Sequence, residues 1–202
     1  MKKFIILSFI LLAIGALAFY IYISVDTRSQ REKIVELEKS IAKLKEEMIP
    51  LRFKVLDNSD GKIKVALKLY DCSGNVIKKI EHELEGQELC FDFYTILVKD
   101  KYIAFPNKLY TNKIPPANGI SLVNEYDNEG FPQIFYSDDL TPDLREGLTI
   151  LFDKVKKGKT DSIQTMFGNM VHDFKQFGAF VPKQVYKITS HSKGGLEVVE
   201  EQ

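Results

Sequence analysis

Five carboxylates crowd one stretch of this 202-residue chain: Glu125, Asp127, Glu129, Asp138 and Asp139. Two carboxylates held close together can share the work of a general acid and a general base, and a larger set of oxygens can hold Ca2+. Their spacing does not match the Ca2+-loop signature. The run Asp127-Asn128-Glu129-Gly130 has a simpler explanation as a turn, because short polar side chains there bond their own backbone. Aromatic residues alternate with these acids, and long loops carry function more often than the elements they join. Tyr126, Asp127, Glu129, Phe131, Phe135 and Tyr136 are therefore the candidate partner surface.

Other reactive side chains give weaker signals. His82, His172 and His191 are scattered, so no metal site is predicted. No Gly-x-Ser-x-Gly elbow, phosphate-binding glycine loop or His-Glu-x-x-His occurs, and no catalytic residue or cofactor is assigned. Cys72 and Cys90 are the only thiols. In an oxidising compartment they are a candidate disulfide, closing a loop of about 19 residues worth roughly 3 kcal/mol. Against it, Cys72 falls in a turn and Cys90 early in a strand, so the sequence leaves the pairing open. Lys154, Lys156, Lys157 and Lys159 sit at a predicted helix C-terminus, where cations offset the dipole.

The elements that would carry these residues follow a membrane anchor. Phe4 to Val25 is a run of 22 residues without one charge. As a helix at about 1.5 Å per residue it spans a hydrocarbon core about 30 Å thick. Tyr20 and Tyr22 fall near its end, at headgroup level. Lys2, Lys3 and Ala16-Leu17-Ala18 also fit a cleaved leader, but the apolar run exceeds the ~7–15 residues of a leader core. Lys2 and Lys3 favour a cytoplasmic N-terminus, which puts everything after residue 25 outside the cytoplasm.

Residues 26–50 predict a charged helical stalk. Ile34, Leu37, Ile41, Leu44 and Met48 are spaced as the a/d seam of a heptad repeat, a candidate seam for a parallel dimer. The alternative is a single amphipathic helix lying on its own domain. Pro50 would end that helix.

Residues 51–202 predict one α+β domain. Leu51, Phe53 and Val55, then Ile63, Val65, Leu67 and Leu69, alternate with polar residues as half-buried strands. Turns fall at Asn58–Gly61 and Asp71–Asn75, further strands at Val76–Leu84, Leu89–Val98 and Tyr102–Phe105, and an irregular stretch from Pro106 to Pro132. Four of the seven prolines lie in that stretch. Thr141-Pro142 opens a helix whose apolar face is Leu144, Leu148, Leu151, Phe152 and Val155. A second helix is predicted from Asp161, with Ile163, Phe167, Met170, Val171 and Phe174 on one face. A last hairpin turns at Lys193-Gly194-Gly195. The expected fold is thus a transmembrane helix, a coiled-coil-like stalk, and an antiparallel sheet packed on two helices.

Formal net charge is zero, with 28 basic and 28 acidic residues, and no concentrated basic face suggests nucleic acid. These features predict a single-pass envelope protein, touching the bilayer through residues 4–25 and a protein partner through its head. The alternative is an envelope hydrolase or ligand-binding domain using the loop 106–139.

Overall fold

The computed structural model describes residues 47–98, 101–157, 170–176 and 180–201, with backbone alone at 98 and 170–176. The expected anchor over residues 4–25 lies outside the described residues, as do the seam positions Ile34, Leu37, Ile41 and Leu44.

Strands β1 (Glu47–Ser59), β2 (Lys62–Tyr70) and β3 (Val76–Glu85) form an antiparallel meander. The first hairpin is set by Asp60 and Gly61, whose φ values of 54° and 73° make the two-residue turn that matches strand twist. The C-terminal hairpin, β10 (Val185–His191) and β11 (Leu196–Glu201), returns to pair with β1, so this first sheet runs β11-β10-β1-β2-β3. Inward-facing Leu51, Phe53, Val55, Ile63, Val65, Leu67 and Leu69 are almost fully buried, while their polar neighbours stay out.

The meander then leaves this sheet. Gly86, at φ 128°, turns the chain into β4 (Leu89–Val98) and β5 (Lys101–Thr111), the centre of a second sheet ordered β6-β5-β4-β9. Here β6 is Ile120–Ser121 and β9 is Met170–Gln176, while β7 (Asp127–Asn128) and β8 (Phe131–Pro132) between them pair only with each other. This second sheet is covered on both faces. Phe91 meets Phe53 of the first sheet at 4.9 Å, while Phe105 meets Phe135 at 4.9 Å and Phe152 of the helix at 6.1 Å. Burial on two faces explains why β4 and β5 are apolar almost throughout. The result is three layers: sheet, sheet, and a cover of one helix with the irregular chain before it.

The single described helix, α1 (Pro142–Lys156), starts at the Thr141 cap, whose hydroxyl accepts from the Leu144 amide. Leu144, Leu148, Leu151, Phe152 and Val155 are all buried.

Three expectations are overturned. The second helix is not there at its C-terminal half: Met170–Gln176 is a strand antiparallel to β4, with Val171 opposite Thr95 and Phe174 opposite Asp92. The outer edge of β4 would otherwise hold unpaired backbone groups inside the protein, and pairing with β9 satisfies them. Ile163 and Phe167 lie outside the described residues, so an α+β sheet packed on two helices gives way to a mostly antiparallel two-sheet domain with one helix. Second, the stalk does not extend as a helix to Pro50. β1 already begins at Glu47, and Met48, assigned to the dimer seam, pairs with Ser190 and packs on the core. Pro50 is tolerated because the β1–β10 register shifts between Met48 and Leu51, a bulge that does not demand its missing amide. Third, Pro106 does not begin irregular chain. It lies inside β5, where the register against β4 shifts between Asp92 and Phe93.

Candidate functional site

The loop singled out for its carboxylates and aromatics turns most of its aromatics into the core. Tyr126, Phe131 and Phe135 are 1%, 4% and 2% exposed. Tyr126 stacks on Phe152 at 5.4 Å, and its phenol, pushed well up by burial, donates to the Pro106 carbonyl. Asp127 is spent on structure: it accepts from the Gly130 amide at 2.8 Å and pairs with Lys156 at 2.6 Å. Glu129 occupies a turn position at φ 52°. Of the six residues only Glu129 and Tyr136 are exposed. Physically, an irregular stretch of this length still needs apolar anchors, and its aromatics supply them.

The thiols sit in different surroundings and form no disulfide in this structure. The Cys72 Sγ lies 3.4 Å from Met48 Sδ and 3.3 Å from the Ile134 carbonyl, in a narrow niche shared with Ser190 and Ser192. Cys90 is buried early in β4, and burial pushes its thiol up, with Glu88 pushing the same way.

A polar cavity of about 280 Å3 opens beside the end of α1, lined by Tyr94, Asn107, Lys108, Ser121, Asn124 and Lys156. The β5 bulge creates it, because Asn107 is the extra residue between the pairs Phe93–Pro106 and Asp92–Lys108. Its amide donates to the carboxylate of Asp92, and both side chains are buried. Burial and the nearby Asp92 charge raise the Tyr94 phenol, keeping it a donor. The ammonium groups are already engaged. Lys156 pairs with Asp127 and lies over the Phe152 ring, and Lys108 donates to the Pro116 and Ala117 carbonyls. What remains is a set of neutral hydrogen-bonding groups, suited to holding a small polar molecule.

The more distinctive surface is the outer face and edge of the first sheet. Lys187, Arg52, Lys68 and Lys79 stand directly opposite one another on four successive strands. Neighbouring strands are about 4.8 Å apart, and like charges directly opposite are destabilising. Arg52 is neutralised by Glu201 at 3.0 Å and stacked on Tyr70 at 4.5 Å. Lys68, Lys79 and Lys187 have no ion-pair partner among the described residues. The row ends at β3, the last strand of its sheet, whose outer backbone groups no described element pairs. Its outward side chains Lys79, Glu81, Glu83 and Glu85 are exposed, and inward Ile80 and His82 are half-buried. Glu83 is held below the usual carboxylate range by Lys62. Sequence analysis identified β3 as a strand but not as an edge. The cue present in the sequence is its charge segregation, Lys78-Lys79 followed by Glu81, Glu83 and Glu85.

No family model, curated protein or solved structure matches the chain.

Proposed function

We propose that this chain is a single-pass membrane-anchored protein whose two-sheet head acts outside the cytoplasm as a protein-interaction module. The anchor rests on the uncharged run Phe4–Val25, which is cheaper in lipid than in water. For the head, the observation that carries the proposal is the open edge of β3. Ten residues of strand without proline or glycine end a sheet, and among the described residues no strand pairs with their outer side. Natural sheets blunt such edges with charges, as β3 does with Lys78, Lys79, Glu81, Glu83 and Glu85, so the strand its open backbone groups accept is one whose charges complement these.

The experiment is membrane fractionation of the full chain with protease protection in intact cells. The chain should sediment with membranes, resist alkaline carbonate, dissolve in detergent, and lose its head to external protease. Recovery in the aqueous fraction with residues 4–25 intact would overturn the anchor. A head protected from external protease would overturn its placement.

A second reading has its own observation, the polar cavity around Asn107. It favours a small-ligand site whose occupant would be held by Tyr94, Asn107, Ser121 and Asn124. Protection of the Asn124 and Ser121 amides from hydrogen exchange by a bound molecule, lost in Asn124→Ala, would support it over strand addition.

A further inference from the structure

We infer that the partner of the β3 edge is a second copy of the same strand, paired antiparallel about a two-fold axis through Ile80. This deepens the interaction-module proposal and rests on it; the register of the pairing does not depend on the anchor, although its strength does.

Isologous pairing of two antiparallel strands places the axis perpendicular to the sheet and opposite one residue of each copy, so only a few registers exist. Centred on Ile80, each Lys79 faces Glu81 of the other copy, which makes two opposite-charge pairs. Ile80 meets its own copy on the inner face, and Lys78 meets His82. Centring on Lys79 or on Glu81 sets that residue's charge against itself. Centring on His82 sets Glu81 against Glu83. Centring on Lys78 or Glu83 also opposes a charge to itself, centring on Leu84 sets Glu83 against Glu85, and centring on Ile77 engages only residues 76–78 of the strand, so the charge order of β3 selects a single extended register.

That register also resolves the cation row. In one copy the row Lys187–Arg52–Lys68–Lys79 ends at the sheet edge with Lys79 exposed. Pairing continues the row with Glu81 from the second copy, the counter-charge that Lys79 lacks among the described residues. Glu81 is available for this, since in its own copy it faces Ala66 and reaches Lys64 only at 3.8 Å. Pairing is regular where β3 itself is regular, from Lys78 onward, because the β2–β3 register shifts between Leu69 and Tyr70. The opposite edge of the sheet offers no such match. β11 carries Glu197, Glu200 and Glu201, so two copies of it would repel.

The test uses the full chain in native membranes. Ile80→Cys should be joined to a dimer by a short bismaleimide, whereas Glu83→Cys, exposed on the same strand but distant from its own copy, should not. The unsubstituted chain controls for Cys72 and Cys90. Because Ile80 packs partly on the core, a second series at exposed positions accompanies it. In the Ile80→Cys background, Lys79→Glu or Glu81→Lys should each lower the cross-linked fraction at least about tenfold, and the two together should restore it. Equal cross-linking at residues 80 and 83, no cross-linking at 80, or failure of the double exchange to restore would overturn the pairing. A chain that stays in membranes while failing these tests refutes only the self-pairing. A chain found in the aqueous fraction that still cross-links at 80 refutes only the anchor.

Discussion

Two buried or constrained residues hold the site regions in place. Asn107 exists as a buried side chain only because the β5 bulge makes it an extra residue, and its amide donates to the Asp92 carboxylate. Truncating it leaves a carboxylate in the interior with one fewer donor, a defect that costs about 2 kcal/mol. Asn107→Ala should lower the urea midpoint accordingly with an unchanged slope, and a midpoint within error of the parent would deny the pair its structural role. Gly86 has a different constraint. At φ 128° it already occupies a conformation that other residues avoid, and an added Cβ would lie 2.5 Å from Thr111 Oγ1 and 2.7 Å from Thr111 Cβ. Strain and clash act together there, so Gly86→Ala should destabilise by about 2–4 kcal/mol. Gly74→Ala, where nothing lies within 4 Å, isolates the cost of positive φ alone and should lose only about 1 kcal/mol. The same melting experiment on both variants checks the difference.

At the scale of elements, the first sheet carries an avoidable conflict in its row of cations. Lys68 stands directly between Arg52 and Lys79, and its exposed side chain makes no ion pair among the described residues. Lys68→Glu replaces two repulsions with two attractions, and should stabilise the fold by about 1 kcal/mol at low salt and less at high salt. Loss of stability on that exchange would show that the row is held by something other than cross-strand electrostatics. Such rows were invisible in the sequence because register is a long-range property: Lys187 and Lys68 flank Arg52 only once β10 has folded back. Local signals were legible. The Asp60-Gly61 turn, the alternation of β2 and the Thr141 cap of α1 are each specified by neighbours in the chain. Where tertiary pairing overrides a local period, locality misled. Met170, Val171 and Phe174 satisfy a helical face and Met-Val-His-Asp-Phe does not alternate, so it is the otherwise unpaired edge of β4 that decides for the strand. Met48 likewise completed a heptad seam but belongs to β1. The burial of three aromatics of the candidate surface was hidden for a related reason. Its turn-forming residues marked an irregular path, but nothing local reveals that Phe135 and Tyr126 pack on Phe105 and Phe152 and that Phe131 is buried beneath Arg145.

For the whole molecule, the strength of the proposed self-pairing must come from confinement. A regular contact centred on Ile80 and bounded by the bulge near Val76 engages only a short run of each strand. Stable protein interfaces bury about 1,200–2,000 Å2 in total, well beyond what one short strand pair covers, so free copies at micromolar concentration should be mostly apart. An anchor changes this, because chains held on one surface share an effective concentration far above their bulk value. The geometry permits it: the two-fold axis is perpendicular to the sheet, so when that axis lies along the membrane normal both copies enter the same bilayer from equivalent positions. Pairing should then depend on surface density rather than on bulk concentration. With full-length Ile80→Cys reconstituted in vesicles at fixed protein, adding lipid dilutes the chains in two dimensions, and the cross-linked fraction should fall progressively. Diluting the same vesicles with buffer leaves the surface density unchanged and should leave the fraction unchanged. A yield that tracks bulk dilution would place the protein off the membrane. A yield indifferent to both would place the contact in a permanent interface elsewhere in the chain.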